Sequence, residues 1–287
     1  MAERIVAKGT RMALTVLIML LAMSLIPLGD TAGKLLVQQG IAPVFVGWSR
    51  FVIGALLIAP FAARAMKPNL LVDWRIWLRG GLIVCGVASI LTALKTEPIA
   101  NVFGAFFVGP ILSYFLSCWL LGERWSWARS ALLLVGFCGV LLVVKPGFGM
   151  TRGLVVAVCA GTFYGLYLVA SRWLADAARP RALLLSQLLV GAVLFAPFGL
   201  VAVPPITPPI GALVFLSGAA SMLGNFLLII AYRRAEAGTL APFVYFQLVA
   251  ATALGWLVFQ EFPDVFAGIG LLILVTAGAS TLLLRRA

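Results

Sequence analysis

The sequence predicts an all-α, polytopic membrane protein with ten transmembrane helices in two inverted five-helix repeats. Three observations carry this. Hydrophobic residues make up 63% of the 287-residue chain and charged residues only 10%, far from the roughly 45–50% apolar and roughly 25% charged of soluble domains. The apolar runs approach the roughly 20 residues a helix needs to cross ~30 Å of hydrocarbon, and they are not the ~10-residue alternating strands of a membrane barrel. Finally, GALLIAPF (Gly54 to Phe61) returns 137 residues later as GAVLFAPF (Gly191 to Phe198), identical at six of eight positions.

Apolar segments separated by Pro, Gly or charged breaks cover about residues 12–35, 42–62, 75–94, 98–121 and 127–145, then 151–174, 181–203, 209–232, 238–260 and 265–284. Their connections are short and leave no room for a soluble domain. Arg4, Lys8 and Arg11 resemble the start of a signal peptide, but without a clear small-residue cleavage site the first segment reads as an uncleaved helix. Pro60 and Pro197 read as helix stops, whereas Pro27, Pro110 and Pro242 interrupt helices and free carbonyls or provide bends. Gly29 with Gly33, and Gly161 with Gly165, form GxxxG spacings that suit close helix contact.

Basic residues set the orientation. Sixteen collect at one face: Arg4, Lys8, Arg11, Arg64, Lys67, Arg75, Arg79, Arg124, Arg129, Arg172, Arg179, Arg181, Arg233, Arg234, Arg285 and Arg286. Only Lys34, Lys95, Lys145 and Arg152 mark the other. Enrichment of Lys and Arg in cytoplasmic loops predicts that both termini are cytoplasmic. The net charge of +12 is thus a mark of topology and implies no nucleic acid.

The repeat extends beyond its first echo. At an offset of 138, Ala22, Leu28, Ala32 and Leu36 meet identical residues, Lys34 meets Arg172, Lys95 meets Arg233, Phe107 meets Tyr245 and Glu123 meets Glu261. The halves are residues 1–146 and 147–287, five segments each. Five is odd, so the second copy enters the membrane from the opposite side, related to the first by a two-fold axis in the membrane plane. Such halves can exchange inward-open and outward-open shapes about a midplane site, the architecture of many secondary transporters.

Composition also excludes. The chain has no His, which removes the usual general base, proton shuttle and transition-metal ligand. No phosphate-loop motif GxxxxGK[ST] occurs, so no ATP-hydrolysing part is recognisable. Cys85, Cys118, Cys138 and Cys159 fall in apolar segments without a CxxC pair and read as small core residues. An intramembrane enzyme needs a nucleophile and a base that are not evident, so no catalytic residue, metal or cofactor is expected.

Ionisable residues inside spans cost about 2.5–3.5 kcal/mol at the centre and need a partner or a wet cavity. Asp30 and Lys34 stand four apart on one helix face, where they can neutralise each other beside a cavity. Arg50 is a third candidate. The alternatives are that Lys34 snorkels to the outer surface and Arg50 pairs with a carbonyl. Asp30 is the only carboxylate well inside a span and therefore the candidate proton carrier. Glu123 and Glu261, where one helix gives way to the next, read as structural. Aromatic residues recur in matching parts of the halves: Phe106 and Phe107, Tyr245 and Phe246, and Phe163, Tyr164 and Tyr167, with Trp48 in the second span. Symmetry places Phe107 opposite Tyr245, suiting a flat or apolar ligand. Asn101, Asn225 and Gln247 are uncharged amides that seek a hydrogen bond to another helix or to a ligand. With Lys95, the candidate site comprises Asp30, Lys34, Trp48, Arg50, Lys95, Asn101, Phe106, Phe107, Tyr164, Tyr167, Asn225, Tyr245 and Gln247.

These features, with SRFVIGALLIAPF (Ser49 to Phe61), ALKTEPIANV (Ala93 to Val102), LLGERWS (Leu120 to Ser126), AYRRAEAGTLAPFVYF (Ala231 to Phe246) and VFQEF (Val258 to Phe262), resemble the EamA-type members of the drug/metabolite transporter superfamily. The second copy departs from the GER motif, with Gln260 for Gly122 and Phe262 for Arg124. The resemblance covers the whole chain and implies a central cavity between the repeats with alternating access. Within the superfamily the chain looks like bacterial exporters of amino acids, aromatic ones included. The expectation is therefore a monomeric secondary transporter in the cytoplasmic membrane of a bacterium, exporting amino acids or similar small metabolites. Uptake or exchange of a vitamin, nucleotide-like or other organic anion, favoured by Lys34, Arg50 and Lys95, is the alternative, and a non-transporting scaffold is the alternative of another class. The expected partners are a small-molecule substrate and the lipid bilayer.

Overall fold

The computed structural model describes residues 2–122, 126–145, 149–174, 176–234 and 243–280. Glu123, Arg124, Pro242, Arg285 and Arg286, singled out above, lie outside them. The described helices are α1 (Ala2–Gln38), α2 (Pro43–Ala62), α3 (Trp74–Ala93), α4 (Ile99–Phe106), α5 (Val108–Leu120), α6 (Trp127–Val144), α7 (Arg152–Trp173), α8 (Pro180–Val201), α9 (Pro208–Arg234), α10 (Phe246–Phe259) and α11 (Val265–Ser280). Seven spans are long and apolar enough to cross a membrane, with α4 and α5 counted together, and the apolar stretches in α6, α10 and α11 complete the ten.

Helix pairing follows the repeat. α1 packs on α9 and its repeat mate α7 packs on α3, both pairings crossing between the halves; likewise α2 meets α9 and α8 meets α3. The helices that map onto each other, α2 with α8 and α6 with α11, pair directly. α2 and α8 both begin with proline, Pro43 and Pro180, where the missing N–H would have no intrahelical partner anyway. Pro60 and Pro197 are not stops: α2 runs on to Ala62 and α8 to Val201. So close to a helix end, a proline sacrifices one hydrogen bond without breaking the helix, as membrane helices tolerate.

The fourth span is broken, as the interruption expected at Pro110 implies. Phe107 is a turn between α4 and α5, and its repeat mate Tyr245 is a turn before α10. Pro110 has no N–H to offer the Phe106 carbonyl. That oxygen instead lies against Gly161 of α7, while Gly165 lies against the Gly109 carbonyl. The small-residue face of α7 thereby lets a broken helix approach backbone to backbone. On α1, Gly29 lies against Ser217 and Ser221 of α9, and Gly33 leaves room for the Arg50 guanidinium.

The connections at residues 38–43, 93–99, 144–152 and 259–265 share the sparsely basic face, where their edges pack into one apolar cluster that includes Leu36, Ile41, Leu94, Ile99, Val144 and Leu154. The cysteines are not core residues: Cys85, Cys138 and Cys159 are exposed on outer helix surfaces and Cys118 is half-buried. In a membrane helix the apolar side faces lipid as readily as protein, so hydrophobicity alone does not mark the core.

Gly165→Leu is expected to destabilise the protein by about 2 kcal/mol through overpacking against α5. Gly268→Leu, where an added Cβ meets nothing within 4 Å, is the control and is expected to change stability by less than about 0.5 kcal/mol. Thermal unfolding of the two variants in detergent measures the contrast, and equal midpoints would contradict it.

Candidate functional site

Helices of both repeats enclose a cavity of about 370 Å³. Its middle is aromatic. Phe107 and Tyr245 meet across the repeats with ring centroids 5.2 Å apart, Phe106 packs on Tyr164 at 4.7 Å, and Tyr164 stacks on Tyr167 at 5.8 Å. The helix break at Phe107 puts Phe106 on the α7 side and Phe107 on the α10 side, so one short segment supplies rings to both walls.

Asp30 lies in the cavity wall, and its partner is Arg50 at 2.5 Å rather than Lys34. Arg50 Nε donates to Ser217 Oγ at 2.7 Å and a terminal nitrogen donates to the Gly29 carbonyl at 2.6 Å. Ser217 Oγ donates to the same carbonyl at 2.9 Å. The guanidinium thus ties α2 to α1 and α9, and its charge is neutralised within the wall.

Lys34, one turn further along α1, points away from the cavity. It is only 2% exposed and binds Glu261, which is 27% exposed, at 2.6 Å. Its Nζ also donates to the Glu97 carbonyl at 2.9 Å and sits 4.6 Å from the Phe259 ring centre. The Glu97 carboxylate accepts from Thr151, whose Oγ1 also caps α7 by accepting from the Leu154 amide. Lys145 pairs with Asp264 on the same face, and that hydrogen bond holds the Asp264 carboxyl below its ordinary range. These contacts join α1 to three connections of the sparsely basic face, those carrying Glu97, Lys145 with Thr151, and Glu261 with Asp264.

At the other end sits a residue the sequence reading counted only as a marker of topology. Arg79 is 5% exposed and donates to Ser171 Oγ (2.8 Å), the Leu183 carbonyl (3.0 Å), Tyr167 Oη (2.9 Å) and Gln187 Oε1 (2.9 Å). Tyr167 and Gln187 are wall residues. The only available signal was Arg79's place five residues inside α3, beyond the turn where a basic residue reaches the interface.

Of the residues singled out from sequence, Asp30, Arg50, Phe106, Phe107, Tyr164, Tyr167, Asn225 and Gln247 line the cavity. Tyr245 backs Phe107. Lys34, Trp48, Lys95 and Asn101 are not brought to it. Lys95 is exposed in the connection after α3, Trp48 packs against Gly199 of α8, and Asn101 is buried in α4 with its Oδ1 unpartnered among the described residues. Wall residues missed from sequence include Phe51, Gln187 and Ser221.

Known proteins fit this picture. The sequence profile of the EamA-like transporter family matches residues 13–145 and again 151–283. The S-adenosylmethionine uptake transporter of Rickettsia bellii is 27% identical over 245 residues, covering 81% of each chain. The riboflavin transporter of Brucella anthropi is 26% identical over 264 residues, covering 87% of this chain and 90% of that one. A solved crystal structure that is 23% identical matches with a TM-score of 0.67 over 95% of this chain and 97% of its own, which shows the fold.

Removing one partner of a buried ion pair strands the other charge. Glu261→Gln is expected to cost about 2 kcal/mol, below the ~3–5 kcal/mol of a fully buried pair because water reaches Glu261. Lys34→Met together with Glu261→Gln is expected to cost less than the two single changes combined. A double-mutant cycle on unfolding in detergent reads the coupling, and strict additivity would remove it.

Proposed function

Because the chain belongs to the EamA-like transporter family, whose relatives here are named as transporters of small metabolites, we propose that it is a secondary transporter of a ring-bearing metabolite with a polar tail. The observation that carries this reading is the aromatic middle of the cavity, where Phe107 and Tyr245 bridge the repeats and Phe106 packs on Tyr164. A fused heteroaromatic ring stacks on such side chains at sequence-tolerant geometry, and Gln247 and Asn225 in the wall supply hydrogen bonds to ring or tail heteroatoms. S-adenosylmethionine and riboflavin, named for two relatives, are both molecules of this kind.

Transport proceeds by alternating access about the axis between the repeats. With the basic face cytoplasmic, the Lys34–Glu261 seal closes the outer end, and its opening admits cargo from outside. Uptake is the preferred direction because one relative is named for it. Export of amino acids, aromatic ones included, or of similar small metabolites, the expectation from sequence, uses the same cavity with the cycle run the other way. Asp30 is the coupling residue: its protonation releases Arg50 and loosens α1 from α2.

Purified protein in liposomes is expected to accumulate labelled S-adenosylmethionine or riboflavin at least about tenfold above empty liposomes. Tyr164→Ala and Phe107→Ala are each expected to lower the rate about tenfold, near the 1.4 kcal/mol worth of one aromatic contact. Faster movement of phenylalanine than of either compound would reverse the preference between the two readings, and no transport of any would end both. Asp30→Asn is expected to remove any stimulation by an imposed proton gradient while exchange persists; unchanged stimulation would exclude Asp30 as the carrier.

A further inference from the structure

The two polar stations in the wall are repeat mates. At the offset of 138, Gly29 maps to Tyr167, Gly33 to Ser171 and Arg79 to Ser217, and at the offset of 137 that relates α2 to α8, Arg50 maps to Gln187. The hydrogen bonds obey the same mapping. Arg50 from α2 donates to Ser217 of α9 in one station, and Arg79 from α3 donates to Gln187 of α8 in the other. Arg50 also donates to the Gly29 carbonyl, as Arg79 donates to the Tyr167 hydroxyl. The stations therefore have the same construction, with arginine and its polar acceptor exchanged between the helices.

They differ in one respect. The Arg50 station contains Asp30, which neutralises it. At the offset of 138 Leu168 stands where Asp30 does, and Leu168 lines the cavity. Among the described residues no carboxylate pairs with Arg79, whose four hydrogen bonds all go to neutral acceptors. A guanidinium 5% exposed in a weakly screening interior keeps a strong field at the wall.

The hydrogen-bond pattern also turns a donor inward. Arginine only donates, so the Gln187 amide must present its oxygen to Arg79, and the Tyr167 hydroxyl donates to that same oxygen at 2.6 Å. The Gln187 NH2 makes no hydrogen bond among the described residues, although the side chain is only 7% exposed and belongs to the cavity wall. A donor left open at a cavity wall is free for a ligand or for water.

We propose that the Arg79–Tyr167–Gln187 station binds a carboxylate of the cargo, which takes over in this half of the protein the part that Asp30 plays in the other. The Gln187 NH2 contacts the carboxylate, and Arg79, one hydrogen bond behind the wall, is a positioning residue that fixes Gln187 and Tyr167 and supplies the charge. A single uncompensated positive charge matches a singly charged carboxylate group better than a phosphate monoester group, which carries close to two negative charges. This rests on the reading of the cavity as a cargo site and narrows it. The ring lies among the central aromatics, with the carboxylate toward the basic end.

The test compares each of two carboxylates with its decarboxylated counterpart: S-adenosylmethionine with decarboxylated S-adenosylmethionine, and phenylalanine with phenethylamine. Binding to the purified full-length protein is measured for each pair, and the readout is the affinity ratio. We expect the carboxylate to bind at least about tenfold tighter in the pair that is recognised, a ratio near one in Arg79→Gln, and an intermediate ratio in Arg79→Lys. Leu168→Asp is expected to bring the ratio to one or below by pairing with Arg79, whereas Leu168→Asn keeps a preference for the carboxylate. A purely structural role for Arg79 would weaken both members of a pair alike and leave the ratio unchanged, which would overturn the proposal. A wild-type ratio near one would also overturn it, even if Arg79→Gln fails to fold, and would leave the ring-binding reading standing. Failure of all four compounds, and of riboflavin, to bind would remove both.

Discussion

Charge buried in a medium that hydrates it poorly is the constraint on which the rest of this structure depends. A guanidinium or ammonium inside a membrane span is tolerated only if nearby groups replace its water. Arg50 meets this by reaching Asp30, Ser217 and the Gly29 carbonyl at once, which fixes the spacing of α1, α2 and α9. Gly33 is part of the same solution, because a Cβ there would strike the guanidinium. Lys34 meets it by crossing from the first repeat to Glu261 in the second. Charge satisfaction, more than apolar attraction, chooses which helices stand beside the cavity, since lipid is as apolar as any side chain.

The same constraint separates what could be read from the sequence from what could not. The spans were legible because apolar runs of a set length have one interpretation in a bilayer, and the inversion was legible because an odd number of spans per repeat forces it. The meeting of Phe107 and Tyr245 followed from the repeat offset alone. Charge partners were not legible. Asp30 and Lys34 stand at the spacing of a helical pair, yet Asp30 is claimed by Arg50 of α2 and Lys34 by Glu261 in the connection after α10, 227 positions away. Arg79 was hidden for a different reason. A basic residue near a span end ordinarily snorkels, and only the surrounding acceptors on α7 and α8 reveal that it turns inward. The exposed cysteines likewise depend on which side of a helix meets protein, which an all-apolar segment does not encode.

Backbone breaks are placed by the same accounting of polar groups. Pro110 deprives the Phe106 carbonyl of its helical partner, and an unpaired carbonyl in a bilayer must find other company. Close approach to the glycine face of α7 provides it. At the break Phe106 packs on Tyr164 of α7 and Phe107 on Tyr245 before α10. Tyr245 is also a turn, although Leu248 stands where Pro110 does, so the second copy repeats the turn without the proline.

An inverted repeat in which both copies were identical would present the same groups to its cavity from both ends, and a cargo inside it would have no preferred direction. Orientation therefore has to come from positions where the copies have diverged. The aromatic middle retains its pairing across the axis, as Phe107 against Tyr245 illustrates. The charged stations do not retain their balance: Asp30 neutralises one arginine, while the matching position in the other copy is the aliphatic Leu168. In the proposed cycle, backbone symmetry lets the two halves exchange shapes, and this electrostatic asymmetry gives the proposed cargo a head and a tail. The two requirements are compatible because exchange of shape depends on how whole helices pack, whereas polarity of the cavity depends on one side chain in each half.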